Sequence, residues 1–175
     1  MVSLKRTSSS RQLAGLLAAA ALLATSTLSA GTAGGTLLVS ATVAATCTVS
    51  AAPLTFGTYY PGNGNLNANT TLLVRCSHGA PFTVAMDAGA GGSLLQRLMT
   101  AGGAALAYNL YTSAARTTVW GDGSASTGVV TGTGKGMANN QAISETVYGQ
   151  LPDTLANQQL APGTYTDTIR VTVSY

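Results

Sequence analysis

The sequence predicts an all-β sandwich, and three observations carry that prediction. Apolar residues recur at every second position in one segment after another, the signature of strands with one buried face. Gly, Pro and Asn clusters separate these segments at short intervals, as turns do. No stretch after Gly34 has a helical period. Many short alternating segments with turn signals between them read as a single β-sandwich.

The elements follow in order along the 175 residues. Residues 1–33 have a basic start (Lys5, Arg6, Arg11), an apolar run over 13–23 and then small residues. This is the pattern of a secretory signal peptide, cleaved after Ala30 or Ala33. The run is too short for a membrane span, which needs about 20 apolar residues, so no span is expected once the signal is cleaved. Next, "GGTLLVSATVAATCTV" places Leu37, Val39, Ala41, Val43, Ala45, Cys47 and Val49 on one face, which predicts one long strand. "PLTFGTYYPGNGN" closes in a turn. "TTLLVRCS" alternates Leu72, Val74 and Cys76 against Leu73 and Arg75, and "PFTVAMD" alternates Phe82, Val84 and Met86 against Thr83 and Ala85. "GSLLQRLMTAG" reads as one turn or a short strand, bounded by its glycines. "LAYNLYT" offers Leu106, Tyr108 and Leu110; "TTVWGDGS" reads as a short strand into an Asp122-Gly123 turn; "SETVYGQL" is a further strand. The last strand alternates Ile169, Val171, Val173 and Tyr175 against Thr168, Arg170, Thr172 and Ser174.

Removal of the signal leaves Arg75, Arg97, Arg116, Lys135 and Arg170 against Asp87, Asp122, Glu145, Asp153 and Asp167. Five cations balance five anions, so the mature chain is neutral. No basic patch is left to attract a phosphate backbone, and nucleic acid is excluded as a partner. A net charge near zero also lowers the barrier to self-association. Cys47 and Cys76 both fall in the mature part, and an exported chain with two cysteines pairs them. The enclosed loop of about 28 residues predicts about 3–4 kcal/mol from loop closure. Metal binding lacks ligands at any recognised spacing.

The chemistry of an enzyme is not visible. His78 is the only histidine, and no Gly-x-Ser-x-Gly elbow accompanies it. "TGTGKGMANN" fails the phosphate-loop pattern, because Gly136 follows Lys135 where Ser or Thr is required. The acidic residues are spread singly, whereas a glycosidase needs two across one cleft; they read as solvated side chains. No catalytic residue and no cofactor is therefore assigned. Trp120 with its accompanying tyrosines could stack on a sugar, but core packing is the preferred reading.

Three stretches carry a family likeness. "ATCTVSAAPLTFGTYYPG", "YNLYTSAARTTVWGDG" and "VYGQLPDTLANQQLAPGTYTDTIRVTVSY" resemble, in order, the start, middle and end of the spore coat protein U domain. The resemblance covers nearly all of the mature chain. It implies an incomplete immunoglobulin-like sandwich that lacks its last strand and is completed by donor-strand complementation. It divides the mature chain into a donor segment, 34–46, and a pilin-like domain, 47–175. Leu37, Val39, Ala41 and Val43 become the donor face, and Ile169, Val171, Val173 and Tyr175 the strand bordering an open groove. The family includes secreted coat proteins and subunits of archaic chaperone–usher pili. The expected function is that of a structural subunit polymerising into a surface pilus for adhesion or biofilm formation. The expected partners are further copies of the subunit, a periplasmic chaperone that anchors the carboxylate of Tyr175, and an outer-membrane usher. A non-polymerising coat or matrix protein of the same fold is the alternative, and a carbohydrate-binding tip module a weaker one.

Overall fold

The computed structural model describes residues 29–175, so most of the expected signal peptide, 1–28, lies outside the described residues. The chain divides between Ala41 and Thr42. In the first unit, residues 29–41 have no regular secondary structure, and Leu37, Leu38 and Val39 are exposed.

The second unit holds eight strands: β1 (Cys47–Ala51), β2 (Leu66–Cys76), β3 (Pro81–Met86), β4 (Arg97–Ala101), β5 (Ala104–Tyr111), β6 (Val130–Thr133), β7 (Ile143–Leu151) and β8 (Val171–Ser174). A 3-10 turn at Asn139–Gln141 precedes β7, and a one-turn helix, α1 (Leu155–Gln158), follows it. Five strands form one antiparallel sheet in the order β1-β2-β7-β5-β4, and three form a second in the order β6-β3-β8. Among the described residues no helix is long and apolar enough to cross a membrane.

The alternation read from the sequence packs the two sheets face to face. Leu72, Val74 and Cys76 of β2 and Phe82, Val84 and Met86 of β3 are buried, joined by Leu106, Tyr108 and Leu110 of β5 and Val147 and Leu151 of β7. Trp120 lies at the centre, fully buried, with its indole N–H donating to the Val84 carbonyl at 3.0 Å. It is core, as the preferred reading held. His78 is exposed in the turn between β2 and β3. The Cys47–Cys76 disulfide is formed, and the two residues are direct cross-strand neighbours of β1 and β2 with Cα atoms 4.1 Å apart.

Two elements differ from the sequence reading. The long strand expected over 37–49 begins only at Cys47. The register explains this: Cys47 faces Cys76, the last residue of β2, so β2 offers no partner further upstream. "TTVWGDGS" forms isolated bridges, Tyr111 with Val119 and Trp120 with Gly128, rather than a strand. The ambiguous "GSLLQRLMTAG" resolves into β4, paired with β5 through a tight turn at Gly102 and Gly103, both with positive φ.

Candidate functional site

β1 stops pairing at Ala51, but the chain runs on. The amide of Ala52 still donates to Thr71 at 3.1 Å; then, over 53–59, no backbone–backbone hydrogen bond is made among the described residues. Across the domain, 161–170 behaves similarly. Its backbone is tied outward at two places only, by Thr166 to Thr100 in both directions and by the Asp87 amide to the Arg170 carbonyl. Unpaired main-chain N–H and C=O groups form a template for another strand; the first segment bends at Gly57, whose φ is 79°.

Between these two edges lies a groove of about 1040 Å³. Its floor is the hydrophobic core itself: Leu72, Met86, Leu106, Leu110, Val147 and Leu151. Its walls differ from its floor in one respect. Residues 51–59 line it consecutively, and so do 160–169. Over 165–170 burial alternates, with Tyr165, Asp167 and Ile169 half-buried and the residues between them exposed, so this wall sets one side-chain face on the core and leaves its backbone edge along the gap.

Side chains hold each wall over the core. Leu54 and Phe56 cover Gly149 of β7, where a Cβ would come within 2.9 Å of each. Phe56 also meets the Tyr108 ring edge-on, with centroids 6.1 Å apart. The Tyr108 hydroxyl donates to Asp167 of the opposite wall at 2.7 Å. Burial, together with that carboxylate, pushes the Tyr108 phenol above its ordinary range. Asp167 further accepts from the amide of Ala90 at 2.9 Å, and Asp87 from the amide of Arg170 at 2.9 Å.

The residues singled out from the sequence are now located. Ile169 and Val171 are half-buried and line the groove. Val173 is half-buried opposite Val84, away from the groove, and Tyr175 is exposed beside Phe82. Ala41 is exposed, as are Val39 at 83% and Val43 at 92% of their surface. Four residues escaped the sequence reading: Gly149, Tyr108, Asp167 and Asp153. The carboxylates were read as solvated, and nothing local marks their distant partners. Among the described residues no cluster of three potential metal ligands occurs.

The family model of the Spore Coat Protein U domain matches residues 33–172. The chain belongs to that family. Its fold is similar to that in a crystal structure of the CsuC–CsuE chaperone–tip adhesion subunit pre-assembly complex from archaic chaperone–usher Csu pili of Acinetobacter baumannii. That similarity has a TM-score of 0.51 at 22% identity, over 77% of this chain and 40% of that one. This chain thus matches less than half the length of the solved chain. None of the curated proteins matches. The likeness is one of fold, two antiparallel sheets packed as a sandwich.

Proposed function

We propose that this member of the Spore Coat Protein U domain family is an exported structural subunit that polymerises by donor-strand exchange. Residues 34–46 of one copy enter the groove of the next. The observation that carries the reading is the pair of facing main-chain edges, 53–59 and 161–170, with apolar core exposed between them. An inserted strand would satisfy both edges with main-chain hydrogen bonds while its alternate side chains covered the floor.

Support for the occupant comes from the same chain. Leu37, Val39, Ala41 and Val43 alternate as a groove-filling strand must, and Leu37, Val39 and Val43 are exposed. The family match begins at residue 33, between the two expected starts of the mature chain, 31 and 34. A groove on one part of the chain and its filler on another make a head-to-tail contact that does not close, which generates fibres. On this reading a periplasmic chaperone guards the empty groove during export, an outer-membrane usher receives the subunit, and the fibre stands on the cell surface in adhesion or biofilm formation. The fibre is structural; no catalytic step is assigned to it.

The test is polymer mass. The mature chain, freed from its chaperone, is expected to grow into long polymers by light scattering and electron microscopy. Val39→Asp with Val43→Asp is expected to remain monomeric while still binding a synthetic peptide of residues 34–46. Equal polymer yield from parent and variant would contradict the proposal.

A further inference from the structure

The wall over 53–59 has a physical difficulty. It lacks ladder hydrogen bonds and borders an apolar floor, and the packing of Leu54 and Phe56 on Gly149 holds only its middle. One end is secured by β1 and the Cys47–Cys76 bridge. The other end runs into the exposed Pro61-Gly62-Asn63-Gly64 turn. What secures that end is a single carboxylate.

Asp153 sits on the corner between β7 and α1. Its carboxylate accepts from the Tyr59 hydroxyl, from the amides of Gly62 at 3.1 Å and Gly64 at 2.8 Å, and from the Gln158 side chain at 3.1 Å. Its own amide donates to Asn65 Oδ1 at 2.9 Å. Gly62 and Gly64 have φ of 85° and 88°, which turns their N–H groups toward one point and excludes most side chains there. The corner itself is fixed. Asn157, buried, exchanges hydrogen bonds with the Ala107 amide and carbonyl of β5 at 2.9 and 3.0 Å and donates to the Pro152 carbonyl at 2.7 Å. The linkage therefore runs from β5 through Asn157 and Asp153 to Tyr59, the last residue of the unpaired wall.

We infer that Asp153 is a positioning residue for the groove, a latch that holds the unpaired wall apart from the opposite edge so that an incoming strand meets a preformed slot. This rests on the strand-acceptor reading and assigns it a specific regulator. A preorganised site loses less order on binding, so removing the latch weakens retention of the strand. The electrostatics agree with the geometry. The hydrogen bond from Tyr59, then those from Gly62 and Gly64, hold Asp153 at about 2, below the usual carboxylate range, and burial followed by Asp153 itself raises Tyr59 to about 12.

The test uses the full mature chain carrying Val39→Asp and Val43→Asp, which cannot fill its neighbour, and a fluorescent peptide of residues 34–46 as probe. Adding Tyr59→Phe removes one hydrogen bond to a charged acceptor and is expected to speed peptide release about tenfold. Asp153→Asn is expected to speed it further. In the empty protein, amide exchange at Gly62 and Gly64, whose N–H groups Asp153 accepts, should rise in both variants while that of β2 and the urea midpoint stay at the parent's values, which separates positioning from general destabilisation. Release at the parent's rate in both variants would overturn the role of Asp153 and leave the groove reading intact. No binding of the peptide by the parent would overturn the groove reading, and the latch with it.

Discussion

Arg97 is fully buried, yet it serves backbone rather than a ligand. Its guanidinium donates to the Asp87 carbonyl from Nε at 2.9 Å and from Nη2 at 2.7 Å, to the Trp120 carbonyl at 2.8 Å and to Asn109 Oδ1 at 2.7 Å. These bonds join the end of β3, the Trp120 segment and β5; Met86 of β3 and Leu106, Tyr108 and Leu110 of β5 line the groove. Lysine has a charge but not the planar fork, and would leave buried acceptors unpaired. Arg97→Lys is expected to cost about 2–4 kcal/mol, read as a lowered urea midpoint with an unchanged slope. Asp153 supplies a pH test at the same scale. Its folded value near 2 lies below the unfolded carboxylate value of 3.8, so its contribution is complete above the unfolded value and is lost as pH falls toward 2. Tyr59 runs the other way: its contribution holds below its ordinary 10.0 and is lost as pH rises through about 12. Release of the 34–46 peptide, followed against pH, should therefore quicken at both extremes in the parent. In Tyr59→Phe the alkaline quickening should vanish.

Among the elements, the two walls decide the function, and Gly149 sets the height of one of them. Gly149→Val would push Leu54 and Phe56 off β7, and it is expected to abolish peptide binding while β-content by circular dichroism stays close to the parent's. On the donor side, burying Leu37, Val39 and Val43 contributes about 1.5–3 kcal/mol each before ordering costs. Val39→Asp alone should therefore reduce polymerisation far more than it alters domain stability. Most strands around the groove were legible because they bury one face: the alternation in β2, β3 and the later part of β7 is the same in sequence and structure, whereas β5 is buried on both faces from Leu106 to Leu110. The walls do alternate in burial, Tyr165, Asp167 and Ile169 against Thr166, Thr168 and Arg170, and Leu54 and Phe56 against Thr55, but periodicity reports a buried face and is silent on whether the strand's edge is paired; only the family likeness indicated a missing strand. β4 stayed ambiguous because its inward residue is Arg97, a charge where an apolar side chain would have marked the strand. The overlong reading of 37–49 has a related cause. Alternation registers the capacity to form a strand, while a strand also needs a partner, and β2 ends at Cys76.

At the scale of the whole molecule, the Cys47–Cys76 bridge is, on the proposed reading, the junction between the donor segment and the domain. Residues 34–46 leave the domain at Cys47, so in a polymer any load on that segment reaches the domain there. The bridge carries it directly to β2, which pairs with both β1 and β7. The covalent loop also encloses the whole unpaired wall over 53–59. Replacing both cysteines by alanine is expected to lower stability by about 3–4 kcal/mol in urea unfolding, as loop closure predicts. The central claim is that a strand from a second copy fills the groove, and amide hydrogen exchange on the mature polymer measures it most directly. The account predicts that the amides of 54–59, and those of 161–170 other than Thr166, Thr168 and Arg170, exchange rapidly in the monomeric Val39→Asp, Val43→Asp variant and become protected together, by more than about a hundredfold, in the polymer. Polymers in which those two edges exchange as fast as in the monomer would contradict it.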